Sequence, residues 1–356
     1  MLRPRSTHVT IMDVARQSGF SPSTVSIVLN DAPLSRHVAA PTKQLIRETA
    51  KALGYHPNPS ARSLRSRHSR TIGVLVFDLS DPFCTLILRG IEKALDPTGY
   101  LPLIMDAHND RKQLEGYLEL LLERRVEALI VVANWLFEEG GVLFEILKNT
   151  FPTIVVGRDL ADDRIRSVVV DNEAGGYAAL QHIYQLGHRE IAFILGPEKL
   201  SDSNRRWQGM QRFAAEHSLS IDERRVRRLV EALDPFSGFT GGRELTEDLL
   251  RSRIEFSALL AFDDLTALGA VRALCHAGMN VPRDCSVVGF DDAPLAAFCT
   301  PGLTTIRQPM EDMGALATEW VLKATQAGEE VDGTSSATQM LSPSVVVRES
   351  TRETRS

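Results

Sequence analysis

The sequence predicts a small helical unit at the N-terminus, followed by a larger α/β core that contains more than one parallel sheet. Apolar residues recur at helical spacing through the first 54 residues, with capping residues and glycines at the ends of the runs. From Thr71 onward, short β-branched runs alternate with amphipathic stretches of helical length, as in parallel sheets with crossover helices. A chain of 356 residues also exceeds what one hydrophobic core usually supports, so we expect two or three domains.

Charge is distributed unevenly along the chain. The first 70 residues hold 11 Lys and Arg against 3 Asp and Glu, whereas the remainder holds 29 against 43, so a segment of net +8 precedes a body of net −14. A basic segment on an acidic body indicates an anionic polymer as partner. The alternative is an unstructured basic tail, which the helical pattern of this segment disfavours.

Several classes of protein lack support in the sequence. No apolar run is long enough to cross a membrane and the start lacks a secretory pattern, so we expect a cytoplasmic protein. The four cysteines, Cys84, Cys275, Cys285 and Cys299, show no zinc or redox spacing. No Walker loop, metal-ligand spacing or nucleophile elbow occurs, so we predict neither enzyme activity nor a cofactor or metal ion.

The first helix is predicted to begin after Thr10, which can cap it together with Asp13, and to end at Gly19. Ser21 can cap a second helix with Pro22 at its first position. Two short helices around a tight turn that contains glycine indicate a helix-turn-helix.

The inward face of the second helix is predicted from its apolar spacing, with Val25, Val28 and Leu29 forming one stripe. The opposite side then holds Ser23, Ser26, Ile27 and Asn30. An exposed Ile27 has no folding role, whereas it could contact a thymine methyl in the major groove. Single exposed apolar residues are also common on protein surfaces.

A third helix is predicted to open at Pro41 and Thr42 and to end at Gly54. Its inward residues would be Leu45, Ile46, Ala50 and Leu53. A short basic stretch then follows at 60–67, too short to be a stable helix alone. Its arginines could neutralise phosphates and its leucine could enter the minor groove, while a disordered basic linker is the alternative.

These motifs resemble the lactose/galactose repressor family of bacterial transcription regulators. The resemblance rests on Thr10-Ile11-Met12-Asp13-Val14-Ala15, Ser21-Pro22-Ser23-Thr24-Val25-Ser26, Val28-Leu29-Asn30, Gly54-Tyr55-His56-Pro57-Asn58 and Ala61-Arg62-Ser63-Leu64. It implies a headpiece at 8–58 and a hinge helix or linker at 59–70.

The resemblance also implies roles for individual headpiece residues. Pro22, Ser23 and Ile27 would read bases. The phosphate backbone would be contacted by Thr10, Ser21, Thr24, Ser26 and Asn30. Ala61, Arg62 and Leu64 would enter the minor groove at the hinge. Family members often carry Arg at the position of Ile27, so Ile27 points to a different operator base, and the loop 31–40 is longer than usual.

The core has strand and helix candidates in alternation. Strands are predicted at 72–77, 128–132, 153–156, 167–170, 191–195, 257–261 and 286–289. Helices are predicted near 83–95, 111–124, 174–186, 204–217, 239–252 and 265–278. Ligands bind beyond the carboxyl ends of strands in such sheets, where this sequence places several carboxylates. Each of them could equally be a helix cap, and Asp264 is expected to cap the helix after it.

The resemblance continues through the core in motifs such as Arg206-Trp207-Gln208-Gly209 and Ser286-Val287-Val288-Gly289-Phe290-Asp291-Asp292. It implies a periplasmic-binding-protein-like core at 71–348, with two Rossmann-like lobes joined by three crossings. The first lobe would hold 71–168 and 301–325, and the second 169–300 and 326–348. A tail at 349–356 would follow, and its lack of leucine heptads favours a homodimer over a tetramer.

The resemblance places a ligand between the lobes. Arg206 and Asp291 match the family's ligand-binding arginine and aspartate, and Phe83 matches an apolar wall. Charged groups that hydrogen-bond adjacent hydroxyls, together with an aromatic face, suit a sugar. Arg206 could instead form only an interlobe salt bridge. Further pocket candidates are Arg158, Phe236 and Asp263, although Phe236 could equally pack in the core.

Two departures from the family bear on the ligand. Asp263 stands where many sugar-responsive members have Asn, and Leu200 stands near where purine-responsive members have Arg, which disfavours a purine corepressor. We therefore predict a repressor of carbohydrate-utilisation genes that binds pseudo-palindromic operator DNA on the bacterial nucleoid and responds to a sugar. A nucleoside or other corepressor, a protein partner, a solute-binding protein and a sugar-processing enzyme remain alternatives.

Overall fold

A computed structural model describes residues 9–55, 69–133, 152–159, 165–230, 236–327 and 338–354. The chain divides into two compact units, Met1–Ser69 and Arg70–Ser356. Within the described ranges, no helix has both the length and the apolar character that a membrane span requires.

In the N-terminal unit, called the headpiece, residues 9–55 form three α-helices whose ends follow the predicted caps. Helix α1 is Ile11–Ser18, α2 is Pro22–Leu29 and α3 is Ala40–Leu53. Thr10 and Asp13 form the predicted capping box, and Ser21 caps α2 by accepting a hydrogen bond from the Thr24 amide. Gly19 and Gly54 end α1 and α3 in the left-handed conformation, which glycine adopts without strain.

The headpiece core consists of Val14, Ala15, Val25, Val28, Ile46 and Ala50, which are all buried. Two predictions about side-chain direction were wrong. Leu45 is 48% exposed rather than inward, because Ile46 takes the position that faces α1 and α2. Ser26 is buried rather than outward, because it follows Val25 on the flank of the inward stripe and its small side chain fits there.

The loop between α2 and α3 contains a short 3-10 helix at Pro33–His37. Arg47 of α3 donates a hydrogen bond of 2.6 Å to Asp31 at the start of this loop. The longer loop is therefore ordered against the helix that follows it.

In the C-terminal unit, called the core, the described residues form two six-stranded sheets. The first sheet has the order β11-β5-β4-β3-β1-β2, and all its neighbours are parallel. Its strands are β1 Thr71–Val76, β2 Leu101–Asp106, β3 Ala128–Val132, β4 Thr153–Val156, β5 Arg166–Val170 and β11 Thr338–Leu341.

The second sheet has the order β12-β10-β9-β8-β6-β7, and among its described strands the β10–β12 pair alone is antiparallel. Its strands are β6 Ile191–Leu195, β7 Val226–Arg228, β8 Ala258–Ala261, β9 Ser286–Asp291, β10 Thr304–Arg307 and β12 Ser344–Val346. The predicted two-sheet core of the α/β class is thus confirmed.

Helices cover the faces of both sheets and bury the β-branched strands between them. They are α4 Pro82–Leu95, α5 Arg111–Glu123, α6 Asn172–Gln185, α7 Ser201–Glu216, α8 Ser237–Arg251, α9 Asp264–His276, α10 Pro294–Phe298 and α11 Met310–Ala327. Helix α11 packs against α4 and the first sheet. The six helices predicted for the core are all present, and α10 and α11 were not predicted.

The chain passes between the two lobes at different points from those predicted. Strand β10 at Thr304–Arg307 pairs with β9 and so belongs to the second lobe, and β11 at Thr338–Leu341 pairs with β5 and so belongs to the first. The crossings therefore lie near residues 171, 308 and 342, whereas the prediction placed 301–325 in the first lobe and 326–348 in the second. Buried hydrogen bonds from Thr304 and Thr305 to second-lobe residues explain why β10 stays there.

The predicted C-terminal tail is part of the second lobe as far as residue 354. Ser350 is completely buried and donates a hydrogen bond to the Val287 carbonyl, and the Thr354 amide bonds to the Leu186 carbonyl. These contacts attach the end of the chain to β9 at Val287 and to Leu186.

Candidate functional site

The first candidate surface is the outward side of α2 in the headpiece. Pro22, Ser23 and Asn30 are exposed, as predicted, whereas Ile27 is half-buried rather than fully exposed. At Ile27 part of the aliphatic side chain is covered by the headpiece and part remains available to a partner. The base-reading roles of Pro22, Ser23 and Ile27 remain predictions.

The side chains predicted to contact phosphates are fixed by hydrogen bonds within the headpiece. Thr10 Oγ1 donates to Asp13 at 2.7 Å, and the hydroxyls of Ser21 and Thr24 are 2.9 Å apart. Asn30 Nδ2 donates to the Ser26 carbonyl at 2.8 Å. These bonds preorganise the ends of α1 and α2. The predicted hinge residues Ala61, Arg62 and Leu64 lie outside the described residues.

The second candidate site is a cavity of about 570 Å3 between the two lobes of the core. Its walls are formed by the carboxyl ends of strands and the starts of the helices that follow them, as expected for open α/β sheets. The predicted residues Phe83, Arg158, Arg206, Asp263 and Asp291 all line it. The volume is within the range of small-ligand sites.

Arg206 of α7 forms part of the cavity wall with its guanidinium held from several sides. Nε donates to Asn172 Oδ1 at 2.8 Å, and Nη1 donates to the Phe262 carbonyl at 2.7 Å. The guanidinium also lies over the Phe290 ring, 3.6 Å from its centre. These contacts fix the direction of the remaining N–H groups.

Close packing between α6 and α7 positions Arg206. Any Cβ at Gly176 would overlap the Arg206 carbonyl, and any Cβ at Gly209 would overlap the Glu173 carbonyl. The two helices therefore touch backbone to backbone, and no larger residue fits at either position.

Asp291 lies at the end of β9 with φ 115°, a conformation that side chains rarely adopt. Its Oδ1 is 3.8 Å from Arg206 Nη2 and accepts a hydrogen bond of 2.6 Å from Gln308. Burial raises the pKa of Asp291 well above its usual value, against the opposing effect of the Arg206 charge. Arg206 and Asp291 thus form a weakly contacting pair in the wall, open to hydroxyl groups of a ligand.

Arg158 connects the two lobes. It follows β4 of the first lobe, is only 4% exposed, and donates a hydrogen bond to the Ser201 hydroxyl at the start of α7. Its Nη1 is 3.9 Å from Asp202 Oδ1. A movement of one lobe against the other would change these contacts.

Further carboxylates lie in the cavity wall, among them Asp81, Asp263 and Asp264. Asp81 caps α4 through the Phe83 amide, and burial raises its pKa to about 7. Asp263 caps α9 through the Thr266 amide at 2.7 Å. The prediction that Asp264 is this cap was wrong by one residue. Asp264 is buried instead and accepts hydrogen bonds from the Thr305 hydroxyl and the Ala293 amide.

Of the two phenylalanines predicted to line the cavity, Phe83 does so and Phe236 does not. Phe83 lines the cavity beside Phe77, with ring centres 6.4 Å apart. Phe236 is 53% exposed at the start of α8 and is not part of the described cavity wall. The prediction for Phe236 was wrong because the chain turns into α8 at this point, and Ser237 and Gly238 face the cavity instead.

Sequence reasoning missed other lining residues, notably Asp202, Asn109 and Gln308. Asp81 is one of the carboxylates that follow a predicted strand, where the sequence places ligand binding, but it was given no individual role. Gln308 follows β10, a strand that the sequence did not reveal.

Both units of the chain match families of known proteins. Residues 10–58 match the model described as "Bacterial regulatory proteins, lacI family", and residues 180–351 match a periplasmic binding protein-like domain. The regulator GalR of Salmonella typhimurium is 32% identical over 342 residues, which are 96% of this chain and 95% of GalR.

Solved structures agree over nearly the whole chain. The lac repressor dimer bound to operator and the anti-inducer ONPF has a TM-score of 0.81 and 27% identity, over 97% of this chain and 99% of that one. The CelR–cellobiose complex has a TM-score of 0.69 and 26% identity, over 98% of this chain and 100% of the CelR chain. The chain belongs to the lacI family of bacterial regulatory proteins and is a DNA-binding transcription regulator with a ligand-binding core.

Proposed function

We propose that the protein is a dimeric repressor whose affinity for operator DNA is controlled by a small polyhydroxylated ligand, such as a sugar, in the cavity between the lobes. The observation that carries this proposal is the pair Arg206 and Asp291 in the wall of a cavity that both lobes line.

The chemistry of this wall suits a polyol. Arg206 and Asp291 are 3.8 Å apart, so they form no tight pair and keep donors and acceptors for adjacent hydroxyls. The aromatic rings of Phe77 and Phe83 provide an apolar surface for the C–H face of a sugar. One relative, the regulator CelR, was solved as a complex with cellobiose, which supports a sugar here.

The arrangement of the lobes allows ligand binding to change the affinity for DNA. The chain crosses between the lobes three times, and a ligand that contacts both lobes favours one relative orientation over another. Strand β1 begins at Thr71, directly after the predicted hinge at 59–70. A change in lobe orientation would therefore alter the placement of the two hinges of a dimer and so their grip on DNA.

Operator recognition would use the outward side of α2. In a dimer, two headpieces would enter successive major grooves of a pseudo-palindromic site, where Pro22, Ser23 and Ile27 would meet bases. The lac repressor structure, described as a dimer bound to operator, supports the same assembly for this chain.

Gel-shift titration tests this proposal once the operator is known from selection of bound DNA out of random sequence. We expect the affinity of the full chain for the selected operator to change when a sugar that binds the core is added. An operator affinity that no bound small molecule alters would contradict the proposal and favour a protein partner instead.

A further inference from the structure

Two carboxylates from different lobes line the same cavity. Asp81 is the cap of α4 in the first lobe, and Asp263 is the cap of α9 in the second. Each uses Oδ1 to accept one main-chain amide, from Phe83 at 2.8 Å and from Thr266 at 2.7 Å. Their charges therefore face a shared, partly apolar space.

The basic side chains of the described wall lie beside carboxylates other than Asp81 and Asp263. Among the described residues that line the cavity, the basic side chains are Arg158 and Arg206. Arg158 lies 3.9 Å from Asp202, and Arg206 lies 3.8 Å from Asp291. The described part of the cavity wall thus provides no further basic side chain for Asp81 and Asp263.

This arrangement is electrostatically unfavourable without a ligand. Burial raises the pKa of Asp81 to about 7, and the negative charge of Asp263 adds to that rise. Two like charges in a cavity with apolar walls cost free energy that a cation would remove.

Open space lies beside Asp263 at Gly238. A Cβ built on Gly238, which lines the cavity, would be 3.5 Å from each Asp263 oxygen. The absence of a side chain at Gly238 keeps this corner of the cavity open.

We propose that the effector carries a positively charged amino group, as an amino sugar does, and that this group lies between Asp81 and Asp263. The proposal rests on the proposed function, because it requires the cavity to be the effector site. An ammonium group has three N–H donors, and each of the two carboxylates can accept at least one of them. The hydroxyls of the same molecule are then available to Arg206 and Asp291.

The position of the cation also favours closure of the cavity. Asp81 and Asp263 repel each other when both are charged, and they belong to opposite lobes. A cation between them replaces that repulsion with two attractions and so draws the lobes together. A neutral sugar, or the neutral N–H groups of a nucleoside base, would leave the repulsion largely in place.

Isothermal titration calorimetry on the full chain tests this proposal with matched compounds. D-glucosamine and D-galactosamine are compared with D-glucose and D-galactose, and we expect one amino sugar to bind at least about tenfold more tightly than its neutral counterpart. Asp81→Asn and Asp263→Asn each remove a charge but keep a residue that caps helices well, so the fold is retained. We expect either variant to abolish most of that preference.

Asp171→Asn is the matched control. Asp171 caps α6 in the same way, through the Ala174 amide at 2.8 Å, and is not part of the described cavity wall. This variant should keep the full preference for the amino sugar. A second variant, Gly238→Ala, places a methyl group in the corner beside Asp263, and it should weaken binding of the amino sugar more than binding of the neutral one.

The outcomes separate this proposal from the proposed function. Equal or tighter binding of neutral sugars, or an amine preference that survives both Asn variants, overturns the cationic effector and leaves the ligand-controlled repressor in place. Binding of adenosine or cytidine without binding of any sugar does the same. If no amino sugar, neutral sugar or nucleoside binds the wild-type chain, both proposals fail.

Discussion

Asn172 accepts a hydrogen bond of 2.8 Å from Nε of Arg206, at the point where the chain has just crossed from the first lobe to the second. The amide nitrogen of the Asn172 side chain also donates to Asp202 at 3.2 Å. Asp202 in turn lies 3.9 Å from Arg158 of the first lobe. One polar side chain therefore links the crossing, the ligand-facing arginine and the contact between the lobes.

Replacing Asn172 with alanine should destabilise the core, because the buried Arg206 guanidinium loses an acceptor. A hydrogen bond to a charged group contributes about 1.5 to 3 kcal/mol, and we expect a loss in the free energy of unfolding within that range. Chemical denaturation of the two proteins measures it. Asn204→Ala is the control, because its bond to the Glu198 carbonyl is exposed, and it should cost clearly less. Equal losses in the two variants would argue against a special role for Asn172.

Gly176→Ala should also destabilise the protein. The added methyl group would overlap the Arg206 carbonyl, so α6 and α7 must move apart, and overpacking of this kind costs about 1 to 3 kcal/mol. Gly116→Ala is the matched control in α5, where a Cβ would meet nothing within 4 Å and alanine favours the helix by about 0.5 to 1 kcal/mol. Differential scanning calorimetry should show a lower Tm for Gly176→Ala and a higher Tm for Gly116→Ala. An unchanged Tm in Gly176→Ala would contradict the close approach of the helices.

The stability of the core should depend on pH through Asp81. Its pKa is raised from 3.8 to about 7 in the native state, mainly by burial, so the native state binds the proton more strongly than the unfolded state does. The protonated carboxyl therefore favours folding below pH 4, and this contribution is lost as the pH rises toward and past 7.

Asp81→Asn removes this contribution while keeping the helix cap. Relative to wild type, the Tm of the variant should be higher at pH 8, and the difference should shrink as the pH falls toward 4. Calorimetry in a series of buffers measures it. A variant with a lower Tm than wild type at pH 8 would show that the carboxylate is stabilised rather than destabilised by its surroundings.

Ile27→Arg should change which operator base is preferred at one symmetric position. Arginine reads guanine by a bidentate contact, whereas isoleucine can contact only apolar groups such as the thymine methyl, and a good bidentate contact discriminates by about 1 to 3 kcal/mol. Selection of bound DNA from random sequence compares the two proteins. Met12→Arg adds the same charge on α1, where Met12 is 58% exposed, and should strengthen binding without changing the selected site. An unchanged site for Ile27→Arg would refute Ile27 as a base reader.

The parts of the fold that sequence predicted correctly are those that local chemistry determines. Thr10, Asp13, Ser21 and Gly19 define the ends of α1 and α2 through bonds to residues at most four positions away. The central strands of the core were equally clear, because burial on both faces makes them continuous apolar runs.

The parts that sequence missed depend on distant partners. Strand β10 contains Thr304 and Thr305, which read as polar but are fully buried because Ser350, Arg348 and Asp264 satisfy them. Without β10, the crossing near residue 308 could not be placed, and so Gln308 could not be assigned to the cavity. Strand β2 was missed for another reason: it lies at the sheet edge, where Leu101 is 70% exposed.

Distant partners also decide the roles of individual residues in the cavity wall. The carboxylates Asp263 and Asp264 are adjacent, so spacing could not decide which one caps α9 and which one is buried. The structure assigns the cap to Asp263, since its Oδ1 accepts the Thr266 amide, and ties Asp264 to Thr305 of β10. The resemblance identified Arg206 and Asp291 by position, but the Asn172 contact that orients Arg206 became visible only in the structure.

The measurement that tests the central claim most directly is the affinity of the full chain for its selected operator, with and without a ligand shown by calorimetry to bind the core. We expect the ligand to change this affinity by about 5-fold to 150-fold, the usual range of allosteric coupling, and Arg206→Met to abolish both ligand binding and the change. Ligand binding in the cavity with no effect on operator affinity would contradict the account.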